Sequence, residues 1–370
     1  MLAVDAAERA AWLRLTLTPE VGPRTARALL AAFGLPTAIF EASAAALGKH
    51  VPEKLACTLA ASPDAALRAA IDATAAWLAR DPSHALLTLA DPDYPQALLA
   101  TPDPPPVLFA IGRRELLNRP AFAVVGSRNA TRQGEANAEA FAHALARAGL
   151  TIVSGLALGI DAAAHRGALK SEADASTIAV VATGADVIYP ASNKALTLEI
   201  RRRGVVISEF PIGTPGIAHN FPRRNRLIAG LARGVLVVEA ALRSGSLITA
   251  RLAADAGRDV FAVPGSIHSP LSKGCHKLIK EGAKLAESAQ DVLEELRFAP
   301  AAATAAAAPA AALTPAQAAL LEALGFDPVD LDALALRTGR DAGGLTADLL
   351  ELELAQHVER LPGNRYQRLR

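Results

Sequence analysis

The sequence contains little of several features that mark particular classes of protein. Its 370 residues include two cysteines, Cys57 and Cys275, which lie far apart and so exclude a disulfide framework or a cysteine metal site. The 38 basic and 37 acidic residues leave a net charge of +1, so overall charge does not point to a polyanionic partner. No apolar run reaches the roughly 18 residues that span a bilayer, and the N-terminus lacks an export signal. We therefore expect a cytoplasmic protein without membrane association.

Aromatic residues are scarce at 4%, whereas hydrophobic residues in total make up 51%, which excludes a disordered chain. Apolar residues at helical spacing predict short helices in residues 1–80. The prolines of residues 81–111 predict an extended connector. Residues 112–298 alternate apolar runs with helical segments, which predicts an α/β domain with an extended Rossmann-like, doubly wound parallel sheet. Residues 299–312 are an Ala/Pro linker, and residues 313–370 have the outline of a winged helix, three helices and a hairpin. The predicted strands of the sheet are 121–125, 150–153, 177–182, 205–207, 235–238 and 259–263.

Glycines, hydroxyls and basic side chains follow the ends of these strands. The carboxyl ends of parallel strands share one edge of a sheet, where ligands bind. Glycine allows a ligand to approach the backbone, helix N-termini favour phosphate, and Arg offers a planar fork. A single turn of this kind needs no ligand, but the whole edge predicts a phosphate-binding site. Its candidate residues are Gly126, Ser127, Arg128, Ser154, Gly155, Lys194, Phe221, Arg223, Arg224, Asn225, Arg226, Ser244, Gly245 and Ser246.

The kind of phosphate ligand follows from what accompanies the arginines. The sequence has neither a Walker loop nor a G-x-G-x-x-G fingerprint, so an NTPase or an NAD enzyme is disfavoured. Phe221 stands beside Arg223, Arg224 and Arg226, and cations beside an aromatic ring are how proteins hold single-stranded nucleic acid. The arginines at 201–203 are interpreted instead as a solvated helix end.

Catalytic constellations are weak. The serines of the edge lack a clear histidine partner, and the histidines form no metal-binding pair. Asp161 and His165 are spaced i, i+4, for which a contact on a helix surface is the favoured interpretation. Glu209 and Glu239 end their strands and are interpreted as residues that orient arginines or backbone. We therefore predict no catalytic residue, no cofactor and no metal.

The two terminal regions carry weaker signals. Residues 18–27 look like a helix-hairpin-helix, but Pro23 removes one N–H donor, so helix packing is favoured over DNA contact. The candidate recognition helix, 341–354, contains no basic residue. Because phosphate and base contacts mostly need Arg, Lys, Asn or Gln, this segment indicates a protein partner.

Five motifs, in order, resemble the DNA-processing protein A family (DprA, also called Smf), and the resemblance covers essentially the whole chain. They are Val-Gly-Ser-Arg at 125–128, Ser-Gly-Leu-Ala-Leu-Gly-Ile-Asp at 154–161, Phe-Pro-Arg-Arg-Asn-Arg at 221–226, Glu239 with Ser-Gly-Ser-Leu-Ile-Thr at 244–249, and Val-Pro-Gly at 263–265.

The resemblance implies a protein that binds single-stranded DNA during natural transformation and recombination. It implies protection of incoming strands, loading of the RecA recombinase, help in displacing single-strand-binding protein, and no enzymatic activity. It also implies a sterile-alpha-motif-like (SAM-like) N-terminal domain. The positions matching the family's DNA pocket are Gly126, Ser127, Arg128, Lys194, Phe221, Arg224, Asn225 and Arg226.

The resemblance further implies a homodimer formed through the Rossmann-like domain, at residues 275–285. In this segment Leu278, Ile279 and Leu285 are apolar and lysines surround them. An apolar patch rimmed by charges is typical of an association surface. A place in the core is the alternative for the same three residues.

Two competing functions remain. Phosphoribohydrolases that activate cytokinins share a related core with an early Gly-Ser-Arg, which keeps a nucleotide-binding Rossmann enzyme as the alternative. Their later loop contains Gly-Thr-x-x-Glu, whereas this chain reads Pro264, Gly265 and Ser266 and then Ile-His-Ser-Pro, so the catalytic glutamate is missing. A winged-helix transcription factor is disfavoured by the acidic recognition segment.

Overall fold

A computed structural model describes residues 6–171, 176–298, 313–355 and 357–369. The N-terminal part is helical, as predicted. Its helix α2 begins at Pro23, directly after Gly22, because proline is suited to the first position of a helix. The helices are α1 (Ala6–Leu17), α2 (Pro23–Phe33), α3 (Pro36–Glu41), α4 (Ala44–Leu47), α5 (Glu53–Ala60) and α6 (Ala65–Arg80).

A mixed, nine-stranded sheet follows in the described part of the chain, in the order β1-β2-β6-β5-β4-β3-β7-β8-β9. Its strands are parallel from β3 to β9, and β1 and β2 are antiparallel. The strands predicted between 121 and 263 are confirmed to within two residues at each end. The strands are β1 (His84–Thr88), β2 (Val107–Gly112), β3 (Ala121–Val125), β4 (Thr151–Ser154), β5 (Thr177–Val180), β6 (Val205–Ser208), β7 (Gly234–Val237), β8 (Asp259–Ala262) and β9 (Lys284–Leu285).

The prediction that residues 81–111 form an extended connector is wrong. They contribute β1 and most of β2, and β2 pairs with β6 through Phe109–Ser208 and Gly112–Val205. Trp12 and Trp77 pack against Val107, Phe109 and Ile111 of β2. The N-terminal helices therefore share a core with the sheet.

Helices cover the sheet, so its strands are buried on both faces, as their continuous apolar sequences predict. No helix of the described ranges has the length and apolar content to cross a membrane. Residues 114–118 and 191–193 form 3-10 turns. The covering helices are α7 (Gln96–Leu99), α8 (Arg132–Arg147), α9 (Ile160–Lys170), α10 (Lys194–Arg203), α11 (Asn220–Leu231), α12 (Gly245–Asp255), α13 (Lys273–Lys280) and α14 (Ala289–Glu295).

The C-terminal part is a winged helix, as predicted. Thr314 caps its first helix, with Gln317 completing a capping box. A core of leucines holds the three helices together. The predicted Ala/Pro linker, 299–312, lies outside the described residues. The elements are α15 (Pro315–Leu324), β10 (Val329–Asp330), α16 (Leu331–Thr338), α17 (Ala342–Leu354), β11 (Val358–Leu361) and β12 (Arg365–Arg368), with the strand order β10-β12-β11.

Candidate functional site

A groove of about 720 Å³ runs along the carboxyl edge of the parallel strands. It brings together most of the residues predicted for this edge. The predicted residues that line it are Gly126, Ser127, Arg128, Phe221, Arg224, Asn225, Ser244, Gly245 and Ser246. Those that do not line it are Ser154, Gly155, Lys194, Arg223 and Arg226.

The loop after β3 presents Arg128 to solvent. A side chain at Gly126 would place its Cβ 2.6 Å from Ile160 and 2.9 Å from the carbonyl oxygen of Glu239, so this position requires glycine. The Ser127 carbonyl accepts a hydrogen bond from the Ile160 amide at 3.1 Å. The loop is therefore fixed against α9, and the exposed Arg128 projects from a rigid turn.

Two aromatic rings lie beside Arg128. Its guanidinium carbon is 5.0 Å from the centroid of the Phe221 ring, within the range of a cation–π contact. The Tyr189 ring lies 5.6 Å from that of Phe221 and is 47% exposed. The same three residues line a smaller, mostly apolar pocket of about 80 Å³. A cation next to two accessible rings is suited to a phosphate followed by a base.

Tyr189 was missed as a site residue by sequence reasoning. The available signal is its position after β5, whose carboxyl end lies at the same edge of the sheet as those of β3 and β4.

Arg224, a predicted DNA-binding residue, lines the groove but is almost entirely buried. It is 4% exposed and donates to the carbonyl oxygens of Gly155, at 2.6 Å, and Val180. Asp161 accepts from the Gly155 amide at 3.1 Å. Burial lowers the pKa of Arg224 to about 10, so it remains charged at neutral pH. Asp161 thus binds the amide of Gly155 and Arg224 binds its carbonyl, which fixes the loop after β4.

Ser154 is also internal. Its hydroxyl is fully buried and donates to the carbonyl oxygen of Val124 at 2.7 Å. It joins two neighbouring strands and is not accessible to a ligand.

The predicted surface contact between Asp161 and His165 is wrong, because both residues are buried. His165 Nδ1 lies 2.7 Å from the Thr177 hydroxyl, which itself donates to the carbonyl oxygen of Ile152. His165 therefore donates from Nδ1. Burial, reinforced by Arg224 and Arg166, lowers the pKa of His165 to about 3, so the ring is neutral under ordinary conditions.

Arg223 and Arg226 point away from the groove and toward Glu209. Arg223 lies 3.2 Å from the Glu209 carboxylate, which also pairs with Arg226. Arg226 donates to the carbonyl oxygen of Asp103 at 2.6 Å. The interpretation of Glu209 as a residue that orients arginines is confirmed. Lys194 is exposed at the start of α10.

The arginines at 201–203 are not uniformly solvated. Arg201 is partly buried and donates to the carbonyl oxygen of Ala185 at 2.7 Å. Arg203 pairs with Glu199 at 3.1 Å. Arg202 is the exposed member, so the predicted solvated helix end applies to this residue.

The opposite end of the groove is formed by the start of α12. Ser244 caps the helix, and its hydroxyl oxygen lies 2.7 Å from that of Ser246. The Asn225 side chain donates to the carbonyl oxygen of Gly245 at 3.4 Å. Arg243 is exposed and lines the groove here.

The residues predicted for a dimer interface are not equivalent. Leu278 and Ile279, on α13, are half-buried and pack against the core of the sheet. Leu285, on the edge strand β9, is 47% exposed.

Within the described residues, no group of three His, Cys, Asp or Glu side chains is placed to hold a metal.

Comparison with known protein families gives three matches along the chain. A model described as DNA recombination-mediator protein A matches residues 85–297. A model of the DprA winged helix domain matches residues 304–364, and one of a DprA-like N-terminal HHH domain matches residues 6–47.

Two relatives illustrate the similarity in sequence. The chain is 42% identical to Protein Smf of Escherichia coli over 311 residues, 82% of each chain. It is 53% identical to the DNA processing protein DprA of Streptococcus pneumoniae over 192 residues, 52% of this chain and 67% of that protein.

Two solved structures are also similar. DNA processing protein A from Streptococcus pneumoniae is 40% identical, with a TM-score of 0.58 over 74% of this chain and 97% of that one. DNA processing protein A from Helicobacter pylori, whose structure was described for its single-stranded DNA binding mode, is 32% identical. Its TM-score is 0.53 over 58% of this chain and 97% of that one.

Proposed function

Because the chain belongs to the DNA recombination-mediator protein A family, we propose that its groove binds single-stranded DNA. The observation that carries the proposal is the contact of Arg128 with Phe221, beside the accessible ring of Tyr189. A guanidinium next to a ring can hold a phosphate while the neighbouring base stacks. The described binding of single-stranded DNA by the Helicobacter pylori relative supports the same ligand.

The proposed roles of the site residues follow from their exposure. Arg128 contacts a phosphate, and Phe221 and Tyr189 receive a base without strong preference, because every base has a π-face. Arg224 holds the loop at Gly155 and adds its charge from below.

Other predicted ligands surround these residues. Gly126, Ser127, Asn225 and the segment 244–246 line the groove and contact the strand there. Lys194 is exposed and contributes a positive charge. Arg223 and Arg226 are paired with Glu209, and their proposed role is to support α11 beside the groove.

A wider role is proposed from the family. It comprises protection of incoming strands in natural transformation, loading of RecA, displacement of single-strand-binding protein, and action in the cytoplasm as a homodimer. We propose a binding protein and not an enzyme. Among the described residues that line the groove, Asp161 is the carboxylate, and it is buried and bonded to backbone amides. It is poorly placed to act on a substrate.

The test compares Arg128→Ala with Arg202→Ala, an exposed arginine outside the groove. Fluorescence anisotropy with single- and double-stranded oligonucleotides is measured over a range of salt concentrations. We expect wild type to prefer the single strand. Loss of one charge-assisted phosphate contact in Arg128→Ala should cost about 1.5–3 kcal/mol and reduce the log–log salt slope by about 0.7. Unchanged affinity and slope in a folded Arg128→Ala protein would contradict the site.

A further inference from the structure

The start of α12 forms a distinct end of the groove. The helix has 11 residues, begins at Gly245 and is capped by Ser244. The first amides of a helix have no partner within it and carry the positive end of its dipole. A Cβ added at Gly245 would meet no atom within 4 Å, so there is open space beside this residue. The Ser246 and Leu247 amides already bond Ser244, which leaves the Gly245 amide as the backbone donor here. Arg243, exposed beside it, adds a full positive charge.

Thr249, one turn along the same helix, gives an independent indication of a ligand. Its side chain lines the groove, and the residue is 2% exposed. Its hydroxyl makes no hydrogen bond with the residues that the structure describes and is not sealed from solvent, so a molecule in the groove can reach it.

Two other buried helical threonines behave differently. Thr74 and Thr197 each donate to the carbonyl oxygen four residues earlier, at 2.9 Å and 2.8 Å. For Thr249 that carbonyl belongs to Gly245, and it accepts from the Asn225 side chain. The Thr249 hydroxyl is therefore left available to a molecule in the groove.

We propose that this end of the groove is a phosphate subsite that binds a free nucleoside 5′-monophosphate as well as a phosphate of a DNA strand. The Gly245 amide, the hydroxyls of Ser244 and Thr249, and Arg243 are its donors. A dianionic monophosphate matches a helix N-terminus next to an arginine. The proposal rests on the proposed function in one respect: the base of the monophosphate stacks on Phe221 and Tyr189, which line the same groove.

The experiment measures by calorimetry the binding of thymidine 5′-monophosphate, of thymidine and of an oligo-dT of about 20 nucleotides. The variants are Thr249→Val, which keeps the shape, and Thr249→Ser, which keeps the hydroxyl. Thr346→Val, on the exposed face of α17, is the matched control. We expect thymidine to bind at least tenfold more weakly than its monophosphate. Thr249→Val should weaken the monophosphate about tenfold, the loss of one hydrogen bond to a charged group.

Thr249→Ser should retain most of the affinity, and Thr346→Val should change nothing. The melting temperature of Thr249→Val should not fall, since its hydroxyl has no protein partner to lose. The subsite would be overturned if the monophosphate does not bind, or if thymidine binds with the same affinity. It would also be overturned if Thr249→Val and Arg243→Ala both bind the monophosphate with the affinity of the wild type. Oligo-dT binding that is insensitive to Arg128→Ala would instead overturn the proposed function and leave the monophosphate results standing.

Discussion

At the scale of the residue, the arginines of the site show how burial assigns different roles to one side chain. Arg128 and Arg243 are exposed along the groove. Arg224 is internal and bonds backbone carbonyls, whereas Arg223 and Arg226 pair with Glu209. The sequence shows five similar cations near one edge. The fold decides which of them is a ligand, which supports a loop and which forms an ion pair, because it sets the direction in which each side chain points.

His165 should make stability depend on pH. Its pKa falls from 6.5 to about 3 on folding, so the unfolded chain binds a proton between these values that the folded chain does not. The free energy of unfolding should therefore fall as the pH drops below 6.5, by up to about 1.4 kcal/mol per pH unit.

In His165→Asn the dependence of the free energy of unfolding on pH should lose the contribution of this one proton, up to about 1.4 kcal/mol per pH unit. Urea unfolding at several pH values between 4 and 7 measures it. His268→Asn, at an exposed position, is the control. The hypothesis fails if wild type and His165→Asn have the same slope.

At the scale of the element, the strands of the parallel sheet were predictable because each is a continuous apolar run buried on both faces. The strands β1 and β2 were missed since prolines surround them and their pairing with β6 is established only by the tertiary fold. The same limit applies to the site. Its glycine and arginine loops were visible in the sequence, but the approach of Tyr189 to Phe221 joins two distant segments.

Glu209 should anchor helix α11. Its carboxylate is 2% exposed and pairs with Arg226, which is 14% exposed. Removal of Glu209 leaves the largely buried Arg226 with the partly exposed carboxylate of Asp103, at 3.6 Å, as its ion-pair partner, so Glu209→Ala should lower the free energy of unfolding by about 3 kcal/mol, the low end of the cost of breaking a buried pair. Glu199→Ala, which breaks the exposed pair with Arg203, should cost less than about 1 kcal/mol. Urea unfolding of both variants gives the comparison, and equal losses would argue against the anchor.

The edge strand β9 provides the test of the proposed homodimer. Leu285 is exposed, whereas Ile279 packs on the core, so Leu285→Glu separates association from folding. We expect a folded monomer by light scattering and circular dichroism. Leu336→Glu, at an 86% exposed leucine of α16, should leave the association state unchanged. A folded Leu285→Glu dimer would remove the interface from this strand.

At the scale of the whole molecule, the groove is complete without the C-terminal winged helix. Its described lining residues all precede position 298, and α17 has no basic residue. A chain ending at Phe298 should therefore bind oligo-dT with an affinity within about threefold of the full chain, an energy difference of about 0.7 kcal/mol. Anisotropy titration measures both. A loss of more than about tenfold, or 1.4 kcal/mol, would show that the winged helix takes part in binding.

The pairing of β2 with β6 has a consequence for the order in which the chain can fold during its synthesis. β2 leaves the ribosome before β3, β4 and β5, yet its partner β6 follows all of them. Until β6 emerges, the segments already made that can cover one apolar face of β2, with Val107, Phe109 and Ile111, include those carrying Trp12 and Trp77. The N-terminal helices can thereby bury a face of β2 early, whereas the edge that pairs with β6 stays open until β6 emerges and can pair with other nascent chains during that interval.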